Sequence, residues 1–140
     1  ARDAGIKADF IGGDGWDGIL KTMDQSSYDI IQDSYFTNHF SIEDDNPKVK
    51  DFIEAYREKY GEDPTAFSAL GYDTIYIIKE GFESADSDTN EDRNKAIKAL
   101  DFDGITGAFK FDENNNPQKD ASIMKIDNGE YRFDSIVSPR

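Results

Sequence analysis

With 140 residues and a formal net charge of −14, the chain is one domain or part of one, and repulsion from phosphates argues against a nucleic-acid partner. The absence of cysteine rules out disulfides, thiolate zinc sites and a cysteine nucleophile, without fixing the compartment. No apolar run approaches the roughly 20 residues that a membrane-spanning helix needs, and ten Phe, seven Tyr and one Trp supply bulk for a core.

The opening Ala1-Arg2-Asp3-Ala4-Gly5 reads as the last turn of a helix stopped at Gly5. With no initiator Met, the chain is expected to be a piece of a longer protein. Ile6 to Ile11 is expected to be a strand that ends in a glycine cluster, Gly12-Gly13-Asp14-Gly15-Trp16-Asp17-Gly18. Trp16, Ile19, Leu20 and Met23 have helical spacing and predict a short helix over 16–23. Tyr28–Ile31 and Tyr35–Phe40 are β-rich, the second more so. A helix follows, with Asn46 as cap, Pro47 in the first turn, Gly61 as stop, and Val49, Phe52, Ile53, Tyr56 and Tyr60 as one apolar stripe. A second helix is expected from Asp63-Pro64 to Phe82. Its apolar residues cover most sides, which predicts deep burial. After an acidic loop over 84–91, Thr89 and Asp92 resemble a capping box that opens a helix to Leu100. Alternation over 105–111 predicts a strand, 112–119 a polar turn, and 121–126 and 131–137 two more strands around the hairpin signal Asn128-Gly129. The order is α/β with an antiparallel edge.

The glycine cluster carries the chemistry. Gly13 and Gly15 let the backbone approach a small ligand, and Asp14 between them offers charge-assisted acceptors to an ammonium group. Trp16 offers an apolar or cation–π wall. Gly13, Gly15 and Gly18 also match G-x-G-x-x-G, but Asp14 and Asp17 would face an anionic pyrophosphate, so the dinucleotide reading is weak. The plain alternative is a glycine turn with solvated aspartates. Asp112–Asn116 and Asp86–Asn90 resemble the start of a calcium loop and fail at the glycine and glutamate positions. His39, the single histidine, reads as a strand-end residue at a bend. Tyr72 is explained by packing more readily than by ligand contact. Asp63 is a candidate cap and Asp73 a candidate ion-pair member. With no acid–base couple or metal cage in view, the expected site binds without turnover and needs no cofactor.

An ordered set of segments resembles the type I periplasmic binding proteins, in particular the Leu/Ile/Val-type amino-acid receptors of ABC importers. The set is Gly12–Asp17, Tyr35–Phe40, Val49–Tyr56, Lys59–Pro64, Ala69–Asp73 and Gly104–Asp112. The resemblance implies two α/β lobes joined by three crossovers, parallel strands with an antiparallel C-terminal hairpin, and a ligand in the cleft. It implies that this chain is about the last two-fifths of such a receptor, a two-lobe protein. Residues 1–38 would belong to the C-terminal lobe, 39–111 to the N-terminal lobe, and 112–140 to the return crossover and the C-terminal-lobe hairpin. Asp14 would receive the ammonium of an amino acid or similar solute, Trp16 would shape the cleft beside Gly13 and Gly15, and Tyr72 is a further carry-over. The implied partner is an ABC permease and the implied location is the cell envelope, periplasmic or lipid-anchored. Two other readings stay open: the ligand-sensing domain of a signalling receptor or regulator, and a nucleotide-dependent α/β enzyme. Strands 6–11 and 35–40 are expected to lack partners, so the chain by itself is expected to form a homodimer, with exchange of elements across the links as one route.

Overall fold

The computed structural model describes residues 1–139, and no helix among them is long and apolar enough to cross a membrane. In chain order the elements are β1 (Ile11–Gly12), α1 (Ile19–Thr22), α2 (Tyr28–Ile31), β2 (Ser34–Asn38), α3 (Pro47–Tyr60), α4 (Ala66–Glu83) and α5 (Asn90–Lys98). They are followed by β3 (Asp101–Gly104), β4 (Gly107–Phe111), β5 (Pro117–Lys119), β6 (Ala121–Asp127) and β7 (Glu130–Val137). One sheet has the order β1-β2-β6-β7. Its β1–β2 pair is parallel, in the register Ile11↔Tyr35, and the other pairs are antiparallel. A second sheet, β3-β4-β5, is antiparallel throughout. The mixed α/β class read from the sequence holds.

Local chemistry explains the well-defined elements. The Asn46 side chain accepts the Lys48 N–H at 3.0 Å, Pro47 fills the first turn, and Gly61 closes α3 in the left-handed region. Thr89 caps α5 by accepting the Asp92 N–H at 3.2 Å. The β6–β7 turn puts Asn128 at φ 50° and Gly129 at φ 75°, the paired positive angles of a type I′ hairpin.

Two cores result. Phe36 and Ile126, almost wholly buried, join Ile31 and Met124 under the four-stranded sheet, with Trp16, Leu20 and Tyr131 packed at the margin. Phe40, Val49, Phe52, Ile53, Ala66, Ala69 and Ile105 form the other, between α3, α4 and the β3–β4 turn. Burying each large side chain contributes on the order of 2 kcal/mol.

Several expectations need correction. Only Ile11–Gly12 of the segment 6–11 forms a strand, at the edge of its sheet, and Ile11 is 82% exposed. The expected 16–23 helix is a 3-10 turn over Asp14–Trp16 followed by α1. Tyr28–Ile31 is a helical turn, not a strand; four residues are too few for periodicity to separate the two. Residues 35–40 do not lack partners, since β2 lies between β1 and β6. Asp63 does not cap α4. Thr65 does, in a reciprocal pair with Ser68, and Asp63 instead pairs with Arg57 at 2.5 Å. The stretch 105–111 is not one strand: 105–106 is the turn of the β3–β4 hairpin. Part of the polar turn at 112–119 becomes β5. Most plainly, α4 is not deeply buried. Phe67, Ile75, Ile78 and Phe82 are each at least 40% exposed, and the helix packs through Ala66, Ala69, Asp73 and Gly81.

Candidate functional site

The glycine turn begins where β1 ends. The Phe10 carbonyl accepts the Tyr35 N–H at 2.9 Å, two parallel pairs follow, and the chain then turns through Asp14-Gly15-Trp16. Gly12 is required by close approach, because a Cβ there would sit 2.4 Å from the Trp16 ring. Trp16 thus lies back over its own strand, partly buried against the four-stranded sheet's core. The Tyr131 hydroxyl anchors this turn from β7. It donates to the Trp16 carbonyl at 3.2 Å and accepts the Leu20 N–H at 3.0 Å. Burial pushes the Tyr131 phenol above its ordinary value.

Asp14 leaves the turn with its side chain about half exposed, and its Oδ2 lies 3.4 Å from His39 Nε2. His39 follows directly on β2, as expected for a strand-end bend, and its N–H donates to the Asn38 side chain at 2.9 Å. Its Nδ1 is buried without a partner among the described residues. A Cβ built on Gly13 or Gly15 meets nothing within 4 Å, so open space lies over both. Asp17 is not the solvated aspartate of the plain alternative: its Oδ2 accepts the Ala66 N–H, at the start of α4, at 2.6 Å. Lys21 and Glu62 make a second link, at 3.7 Å, between the same two regions. Neither His39 beside Asp14 nor Asp17 on α4 is signalled by sequence spacing, since each pair is joined only by the tertiary fold.

Tyr72 stands apart from this turn. It lines a cavity of about 710 Å³ between α3, α4 and the end of β3, together with Phe52, Tyr56, Tyr60 and Tyr76. None of Gly13, Asp14, Gly15 and Trp16 lines that cavity. The Tyr72 ring packs 5.0 Å from Phe52 and 4.8 Å from Tyr76, centre to centre. Its hydroxyl donates to the Tyr76 hydroxyl at 3.2 Å. That bond first, then burial and the charge of Asp73, push the Tyr72 phenol up to about 12.

Asp73, one residue on, is 3% exposed and is a fastening rather than an ion-pair member. Its carboxylate accepts the Ile105 N–H at 3.0 Å, the Thr106 N–H at 2.8 Å and the Thr106 hydroxyl at 2.7 Å, which ties α4 to the β3–β4 turn. Lys119 extends the chain by donating to Thr106 Oγ1 at 3.0 Å. Burial lowers the Lys119 pKa, with the Asp73 charge opposing. Among the described residues no cluster of three His, Cys, Asp or Glu is placed to hold a metal.

These features can be set beside known proteins. A family model described as "Periplasmic binding protein" matches residues 1–130. The Leu/Ile/Val-binding protein homolog 7 of Brucella abortus is 29% identical over 89% of this chain, and homolog 8 of the same species is 31% identical over 89%. The chain spans about a third, 33%, of the length of these curated relatives. The fold superposes on the leucine binding protein LivK of Thermotoga maritima with a TM-score of 0.79 and 31% identity, over 99% of this chain and 40% of that one. It superposes on LivJ of Streptococcus pneumoniae, a branched-chain amino acid transporter substrate binding protein in complex with isoleucine, with a TM-score of 0.80 and 34% identity over the same shares. With the family model running over nearly its whole length and this agreement of fold, the chain belongs to the periplasmic binding protein family.

Proposed function

We propose that this chain supplies one side of the ligand site in the solute-binding component of an ABC importer, and that Asp14 receives the ammonium of an amino acid there without catalysis. The observation that carries the reading is Asp14 itself: a half-exposed carboxylate on a strand-end turn, flanked by two glycines with open space above them. Strand ends are where α/β sheets hold ligands, and a carboxylate on an ammonium makes a short, charge-assisted bond. The amino-acid class is supported by the relatives, which include a Leu/Ile/Val-binding protein homologue and a branched-chain amino acid transporter substrate binding protein in complex with isoleucine. Trp16 acts by holding the turn, Gly13 and Gly15 by leaving room, and Tyr72 by shaping the wall of the separate aromatic cavity. In this reading 1–38 and 112–140 belong to one lobe and 39–111 to the other. The binding component meets an ABC permease at the cell envelope.

Removing one partner of a buried charged pair costs roughly 2–5 kcal/mol. In the longer receptor, calorimetry with leucine and isoleucine on Asp14→Asn should show affinity weakened by more than about 30-fold. Unchanged affinity removes Asp14 from the site.

A further inference from the structure

Asp17 has no role in the reading above, yet it makes one of the tightest links between the glycine turn and the rest of the molecule. The Thr65–Ser68 capping pair satisfies the N–H groups of Thr65 and Ser68 and leaves the Ala66 N–H unpartnered by the helix. Ala66 is 2% exposed, so water is a poor substitute there. The Asp17 carboxylate fills the gap at 2.6 Å, where the positive end of an 18-residue helix favours an anion. On the other side of Asp17, its own N–H donates to the Asp14 carbonyl at 2.9 Å and closes the 3-10 turn that carries Asp14. Two bonds, one backbone and one side chain, therefore run in series from the start of α4 to Asp14. Lys21 and Glu62 brace the same junction from its far side.

We infer that Asp17 is a positioning residue for ligand binding: it clasps the Asp14 turn to the N-terminus of α4 and sets where the ligand-receiving carboxylate points. The inference rests on the reading of Asp14 as the ammonium partner. Asp17 touches no ligand in this account. In the lobe assignment above the Asp17–Ala66 bond joins segment 1–38 to segment 39–111, and the positioning role is the part of its effect that passes through the turn and vanishes when Asp14 can no longer act.

The test is a double-mutant cycle in the longer receptor with leucine and isoleucine as probes, measured by calorimetry on wild type, Asp14→Asn, Asp17→Ala, Asp17→Asn and the Asp14→Asn/Asp17→Ala pair. Asp17→Ala is expected to weaken binding about tenfold, the size of one lost hydrogen bond to a charged group. Asp17→Asn, which keeps an acceptor oxygen, recovers part of the loss and stands in for the alanine variant if that one fails to fold. In the Asp14→Asn background the Asp17→Ala change is expected to cost less than it does in wild type. Amide exchange gives an independent readout: the Ala66 N–H should exchange faster in Asp17→Asn while the Ser68 N–H, held by Thr65, is unmoved. If Asp14→Asn leaves affinity intact, the reading of Asp14 falls. If Asp14→Asn weakens binding and Asp17→Ala does not, or if the Asp17 loss persists undiminished in the double variant, the clasp falls alone.

Discussion

Replacing Asp73 should loosen the molecule more than changing any exposed charge. Its carboxylate holds three donors at 2.7–3.0 Å, two of them backbone N–H groups of Ile105 and Thr106, and Ile105 and Thr106 are 7% and 6% exposed. Alanine at 73 leaves both N–H groups without an acceptor and without water. Each stranded buried donor costs about 1–3 kcal/mol, so the two together give roughly 4 kcal/mol for Asp73→Ala. Asn keeps one carbonyl oxygen and can satisfy one of the two, which predicts about half that loss. Lys119, half-buried beyond Thr106, also loses its compensating charge. Against a typical domain stability of about 5–15 kcal/mol, the alanine change removes a large share. Urea unfolding followed by circular dichroism measures it. With a slope near 2 kcal/mol per molar, the Asp73→Ala midpoint should fall by about 2 M, and the Ile105 and Thr106 amides should lose exchange protection. A midpoint within about 0.5 M of wild type would falsify the claim that this carboxylate fastens α4 to the hairpin.

Three further outcomes follow from the same structure. Tyr72, pushed up to about 12, should be the late phenol in an alkaline absorbance titration, and Tyr76→Phe should bring it down by removing the hydroxyl to which Tyr72 donates. Because its folded value lies above the ordinary one near 10, its contribution to stability is full below about pH 10 and is lost as the pH rises toward 12. An unaltered titration in Tyr76→Phe contradicts this cause. The 140-residue chain alone, which spans about a third (33%) of the length of its curated relatives, is expected to bind leucine weakly or not at all; a sub-micromolar dissociation constant by calorimetry refutes the reading that it supplies only one side of the site. Light scattering at moderate salt is expected to give twice the 15.8 kDa chain mass, driven by the exposed Phe67, Ile75, Ile78 and Phe82 of α4. A folded monomer at high concentration shows that the chain closes its own surface.

Elements whose signals are local were legible in the sequence. Asn46, Pro47 and Gly61 bracket α3, Thr89 starts α5, and Asn128-Gly129 makes the β6–β7 turn, because a cap or a positive φ is satisfied within a few residues. The glycine turn that carries Asp14 was legible because its closing bonds are also local, Trp16 N–H to the Gly13 carbonyl and Asp17 N–H to the Asp14 carbonyl. What only the tertiary structure decided involves partners far apart in the chain. Asp73 looked like an ion-pair member until the fold brought Ile105 and Thr106 to it, and Asp17 looked solvated until Ala66 arrived 49 residues later. β3 and β5 are strands through pairing with β4, not through any strong alternation of their own. The apolar run of α4 showed that the helix has surface to bury, but periodicity describes a face and not what covers it, so its exposure could be read only once the neighbouring elements were in place.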